Sequence, residues 1–158
     1  MAKLDYQYIS KLIDKAKDND SNAYAELFAA TYPSVYTFSC VFLENEKLAK
    51  ETLDKTYVQA FTSLYQLQNN GIFVLWLLQI NLRICLEYKP IHKNIQIDNH
   101  SYTINQLLKL PISESLTLVM RYYTHLRYYK IASIMDIPYH RVKDSIVKGK
   151  NRLIQLGG

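Results

Sequence analysis

Apolar side chains return every three or four residues along most of this chain, and very little interrupts them. Among 158 residues there are only 4 glycines and 4 prolines. A period near 3.6 with so few breakers selects amphipathic helices and argues against a loop-rich β-sandwich. The first stripe is Ile9, Leu12, Ile13 and Ala16, closed by the polar cluster Asp18-Asn19-Asp20-Ser21-Asn22, whose oxygens suit a new helix N-terminus. A second stripe holds Leu27, Phe28, Tyr32, Val35, Phe38 and Phe42, with Pro33 expected to kink or break the helix. After a turn at Glu44-Asn45-Glu46 come Ala49, Leu53, Tyr57, Phe61 and Leu64. The loop Gln68-Asn69-Asn70-Gly71 separates these from Phe73, Trp76, Leu77, Ile80, Ile84 and Cys85. Residues 1–88 therefore read as a four-helix domain.

Residues 89–104 carry no sustained period and read as a linker, with some apolar grip from Ile91, Ile95 and Ile97. Fully extended, such a linker reaches roughly 55 Å. Periodicity resumes over 105–158: Leu107, Leu108 and Leu110, a break at Pro111, then Leu116, Val119, Met120 and Tyr123. Ile131, Ala132 and Met135 precede the turn Asp136-Ile137-Pro138, and Val142, Ile146, Leu153 and Ile154 follow it. A short helix, a tight turn and a basic helix make a helix-turn-helix. The expected fold is all-α, two small helical domains joined by a linker.

Charge separates the two halves. Residues 1–88 hold 8 Lys/Arg against 10 Asp/Glu, whereas residues 89–158 hold 11 against 4. A basic C-terminal part on a near-neutral body suits a polyanion, most simply nucleic acid. Other chemistries find little material. Cys40 and Cys85 cannot build a disulfide framework or an all-cysteine zinc site, and sit where small buried hydrophobes belong. His92, His100, His125 and His140 are scattered without metal-ligand spacing, and no glycine-rich phosphate loop is present. No enzyme activity, metal, cofactor or small-molecule substrate is expected. The N-terminus lacks the apolar run of a secretory signal, and the apolar stretch Ile72–Leu78 is too short to span a bilayer. A cytoplasmic protein without membrane insertion is expected.

The segment after the turn runs from Tyr139 to Arg152. With Val142, Ile146 and Leu153 inward, Arg141, Lys143, Lys148 and Arg152 fall on outer faces. Arg141 suits a guanine edge because its planar fork matches the two major-groove acceptors; Tyr139, His140 and Ser145 are placed to add base or backbone contacts.

In the first half, Ala49-x3-Leu53-x3-Tyr57-x3-Phe61-x2-Leu64 and Phe73-x2-Trp76-Leu77-x2-Ile80 stand at the spacing of a known signature. In the second, Leu110-Pro111, Arg121-Tyr122, Leu126-x-Tyr128, Ile131-Ala132, Ile137 and Val142-Lys143 do the same. Together they cover nearly everything outside the linker. In this order they resemble the bacterial RNA polymerase sigma factors of the extracytoplasmic-function group, which keep only the second and fourth sigma regions.

That resemblance implies a factor that joins core RNA polymerase and directs promoter-specific initiation. It places Lys50, Glu51, Asp54 and Lys55 at the face that docks on the polymerase. Gln68, Asn69 and Asn70 would capture a base flipped from the minus-ten element, and Phe73, Trp76, Gln79 and Arg83 would support the melted strand. The basic helix would read the minus-thirty-five element. On residues alone Phe73 and Trp76 are better core residues than base platforms. The implied partners are core polymerase, promoter DNA and an anti-sigma factor or second sigma subunit.

Several positions depart from the family pattern. Lys55 follows Asp54 where an acidic-Gln-acidic pattern is usual, Arg83 replaces a common Asn, Lys130 a usual acid, and Asp136 the turn Gly. The altered docking face keeps open a diverged sigma-like protein acting through protein contacts, as a co-regulator or a partial sigma needing a second subunit. A third reading is a stand-alone helix-turn-helix regulator that binds duplex DNA without polymerase.

Overall fold

A computed structural model describes residues 4–157. Met1–Lys3, included in the signal-sequence reading above, and Gly158 lie outside them. The chain divides into two compact units between Tyr88 and Lys89.

Four helices build the first unit: α1 (Tyr6–Lys17), α2 (Ser21–Leu43), α3 (Glu46–Thr62) and α4 (Phe73–Tyr88). Side chains cap the first three N-termini. The Asp5 carboxylate accepts from the Gln7 and Tyr8 amides, Asp20 from Asn22 and Ala23, and Asn45 from Leu48. Contrary to the expected break, α2 runs through Pro33 without interruption. An interior proline costs about 3 kcal/mol, but Leu27, Val35, Phe38 and Phe42 of α2 are almost wholly buried. At roughly 1.5–3 kcal/mol for each large apolar side chain removed from water, that burial holds the helix together.

Inside this unit a polar cluster ties α2, α3 and α4 into one register. The Asn81 amide oxygen accepts from Ser39 Oγ at 2.9 Å, and its nitrogen donates to Thr56 Oγ1 at 2.9 Å. The Cys85 thiol lies 3.5 Å from the same amide oxygen, and burial pushes it up to about 11. The stretch Asn70–Tyr88 is, by length and composition, apolar enough to cross a membrane. Here its apolar face is core: Phe73, Leu77, Leu78 and Leu82 are fully buried within the unit.

The second unit begins with a structure the sequence did not announce. Residues expected as a linker contain an antiparallel hairpin, β1 (Ile95–Ile97) with β2 (His100–Tyr102), pairing Ile95 with Tyr102 and Ile97 with His100. Ile95, Ile97 and Tyr102 are buried within this unit, which is why so short a ladder persists. The stretch outside regular structure shrinks to 89–94, with an extended reach of about 20 Å instead of 55 Å. Four helices follow: α5 (Ile104–Leu108), α6 (Ile112–Leu118, continued by a π-helical turn at Val119–Tyr123), α7 (Tyr128–Met135) and α8 (Tyr139–Gly157). Thr103 and Gln106 form a reciprocal capping box on α5. Asp136 closes α7 in the left-handed conformation at φ 54°, and Pro138 then prevents its continuation. Leu116, Leu118, Met120, Ile131, Met135, Val142, Ile146 and Leu153 form the core. α8 meets α6 at Gly149, where an added Cβ would lie 2.8 Å from Leu118 Cδ1.

Candidate nucleic-acid interface

α8 carries a buried stripe of Val142, Ser145, Ile146, Gly149 and Leu153, so its remaining faces are open. Ile154, expected inward, is 51% exposed, because one residue past Leu153 turns about 100° away from the core. Tyr139, His140, Arg141, Lys143 and Lys148 are exposed as the sequence suggests. An aromatic series supports the start of the helix. Lys143 Nζ lies 5.7 Å over the Tyr139 ring, Tyr139 is 6.0 Å from Tyr128, and the Arg121 guanidinium sits 4.8 Å from the Tyr128 ring.

Three residues of α8 serve the fold instead. Ser145, expected to face DNA, is buried with its hydroxyl 2.7 Å from that of Ser113. Its place on the inward stripe, beside Ile146, explains the difference. Arg152 is exposed, as expected, but puts Nε 2.7 Å from Oε1 of Glu114, a carboxylate only 8% exposed. The contact is short but off-axis for a hydrogen bond, so the attraction is chiefly charge on charge. Lys150 pairs with Asp98 of the hairpin turn at 3.0 Å and lies 5.2 Å over the Tyr122 ring. Burial pulls its ammonium down, but Tyr122 and Asp98 together hold it above the ordinary lysine value. Among the described residues, the cations of α8 with no acidic partner are Arg141, Lys143 and Lys148.

In the first unit, the loop before α4 is clamped to α1. The Leu67 carbonyl accepts from Lys17 Nζ, and Asn69 Oδ1 accepts from the Gly71 amide at 2.9 Å. The Asn70 amide nitrogen donates to the Ser10 carbonyl, to Ser10 Oγ and to Asp14 Oδ1 at 3.0–3.2 Å. Asn70 is thus a structural tie where base capture was expected, and it leaves Gln68 and Asn69 as the exposed amides. Phe73 is fully buried, matching its reading as core, whereas Trp76 is half-buried and shares a helix face with half-buried Gln79 and exposed Arg83.

Lys50, Glu51, Asp54 and Lys55 are all exposed on α3. Lys55 lies 4.9 Å over the Tyr88 ring, and its hydrogen bond to that hydroxyl, with lesser help from Glu51 and Glu87, raises its ammonium above the ordinary value. The sequence did not single out a shallow groove of about 590 Å³ beside them, lined by Asp54, Lys55, Val58, Gln59, Thr62, Ser63 and Gln66. Val58 is 69% exposed in it. The available signal was a β-branched apolar residue at the centre of an otherwise polar helix face. Among the described residues no cluster of three His, Cys, Asp or Glu side chains is placed to hold a metal.

No protein-family model matches the chain. It is 23% identical over 176 residues to the ECF RNA polymerase sigma factor SigW of Bacillus subtilis (strain 168), covering 92% of this chain and 94% of that one. Its fold is similar to that of CnrH, solved in complex with the cytosolic domain of CnrY. That match has a TM-score of 0.53 and 17% identity, and covers 96% of this chain and 97% of CnrH. Over nearly its whole length the chain is thus similar in sequence to one extracytoplasmic-function sigma factor and in fold to CnrH. Of the positions that depart from the resembled pattern, Asp136 makes the turn in the left-handed conformation where a glycine is usual, and Lys130 and Arg83 are both exposed.

Proposed function

We propose that this sigma-type chain joins core RNA polymerase through α3 and directs it to promoters, with α8 engaging the upstream element in the major groove. The observation that carries the reading is the exposed cationic face of α8, set behind the left-handed turn at Asp136, in a chain whose other unit presents a polar helix with one exposed apolar residue. A groove with Val58 at its centre and charges around it suits another helix, as in the coiled coil of the polymerase's largest subunit. Gln68 and Asn69 have exposed amides able to meet the edge of an extruded base, with Trp76, Gln79 and Arg83 beside the melted strand. Arg141, Lys143 and Lys148, with Tyr139 and His140, contact the upstream duplex.

Polymerase supplies the chemistry, and this chain supplies recognition in the cytoplasm, at the nucleoid. CnrH was captured with a protein partner, and regulation by an anti-sigma protein is part of the proposal for this chain. Co-purification with core polymerase tests the docking half. Wild-type protein should co-elute with core, and Val58→Asp should abolish co-elution while helical content stays unchanged. Equal co-elution of the two proteins would refute docking through α3.

A further inference from the structure

The cations of α8 are not on the part of the helix that faces furthest from its core. At about 100° per residue, the direction opposite the buried stripe Val142–Ser145–Ile146–Gly149–Leu153 is occupied by His140, Asp144, Val147 and Asn151. All four are exposed, Val147 by 58%. Arg141 and Lys148 flank this stripe on one side and Lys143 on the other, while Arg152 and Lys150 are drawn back to Glu114 and Asp98. A helix lying in a major groove turns its outermost stripe to the base edges and its flanks to the two phosphate rows.

We infer that Asp144 and Val147 are specificity-determining residues of α8, Asp144 accepting a hydrogen bond from a cytosine amine and Val147 packing on a thymine methyl close by. The inference rests on the DNA-reading role of α8 proposed above. An aspartate at the centre of a basic helix adds nothing to polyanion affinity. It repels phosphates and pairs only with a donor. Of the two major-groove amines, adenine N6 stands beside the acceptor N7, which repels a carboxylate, whereas the cytosine edge offers its N4 amine with no acceptor on the same base. It also penalises wrong registers, in which it would face the phosphate backbone or an acceptor edge. An exposed valine one turn further is equally idle against phosphate and suits the one apolar group in the groove. Arg141 then serves the phosphate row or an edge at the rim, while the centre is read by residues that carry no positive charge.

The test is selection by the holoenzyme. The full chain, assembled with bacterial core polymerase, is offered promoter fragments with the upstream element randomised, and bound DNA is sequenced. Wild type should enrich one position in cytosine by about 5- to 150-fold over other bases, the range that one good base contact provides. Asp144→Asn should move that position toward adenine, Val147→Ala should relax a neighbouring thymine, and Lys148→Ala should weaken binding with the same preferences. Identical preferences in wild type and Asp144→Asn would overturn the assignment while leaving the DNA-reading role of α8 intact. No enriched sequence with wild type would overturn both.

Discussion

Replacing Arg152 by alanine separates two accounts of the same residue. If Arg152 were a free cation on an outer face, its loss would weaken polyanion binding and leave the fold alone. The structure instead pairs it with Glu114, whose carboxylate is 8% exposed. Breaking a fully buried pair from one side costs about 3–5 kcal/mol, because the remaining charge is left without a partner. Arg152 is itself 53% exposed, so solvent screens the pair and reaches the carboxylate once the guanidinium is gone. A discounted figure of about 2 kcal/mol is therefore expected for Arg152→Ala. Amide hydrogen exchange along α6 and α8 reads this directly, as an approximately 30-fold faster exchange of the amides that open with the second unit. Adding Glu114→Leu to Arg152→Ala removes the stranded charge and should restore protection to within about 1 kcal/mol of wild type. Unchanged exchange in Arg152→Ala, or a double variant as weak as the sum of the two singles, would refute the reasoning.

Gly149→Ala gains up to about 1 kcal/mol of helix propensity, but its Cβ would meet Leu118 Cδ1 at 2.8 Å and Glu114 Cβ at 3.3 Å. Overpacking of this kind costs about 1–3 kcal/mol, so a net loss of roughly 1 kcal/mol in the same exchange measurement is expected. In the native protein a disulfide reagent at pH 8 should titrate half-buried Cys40 quickly and leave Cys85 intact until denaturant is added. The Cys85 thiol, with an ordinary value of 9.0, is raised to about 11 in the folded chain, so the unfolded chain gives up its proton first as pH rises. Stability should be level below pH 9 with respect to this group and fall by up to about 3 kcal/mol by pH 11. Urea titrations of wild type and Cys85→Ala check this, since the variant lacks that part of the slope. Asn70→Ala removes three donated contacts to α1 and should destabilise the first unit by about 1–2 kcal/mol, followed by Trp76 fluorescence in urea.

The helices were legible because burial writes itself into a 3.6-residue period, and most of the predicted stripe residues, such as Ile13, Phe38, Leu53 and Val142, are buried. What stayed hidden depends on partners distant in sequence. The hairpin has strands of three residues, too few to show alternation, and its turn is carried by Asp98 at φ 56°, with no glycine to mark it. Glu114 reads as a surface acid until Arg152 and α8 fold over it. Asn70 sits in a loop of amides, and nothing nearby shows that Ser10 and Asp14 will take its donors. Pro33 reads as a helix breaker, yet the burial along α2 outweighs its cost. At the candidate interface, residue type pointed to the cations, while the order of faces around α8 needed its buried stripe, which takes Ser145 inward and leaves Arg152 exposed but tied to Glu114.

The most direct test of promoter recognition by this chain is run-off transcription with core polymerase and fragmented genomic DNA from the same source. Defined transcripts should depend on the protein and disappear with Arg141→Ala, with Lys148→Ala reducing them, while both variants still co-purify with core. Core binding without any protein-dependent transcript, or transcripts indifferent to changes along α8, would contradict the account.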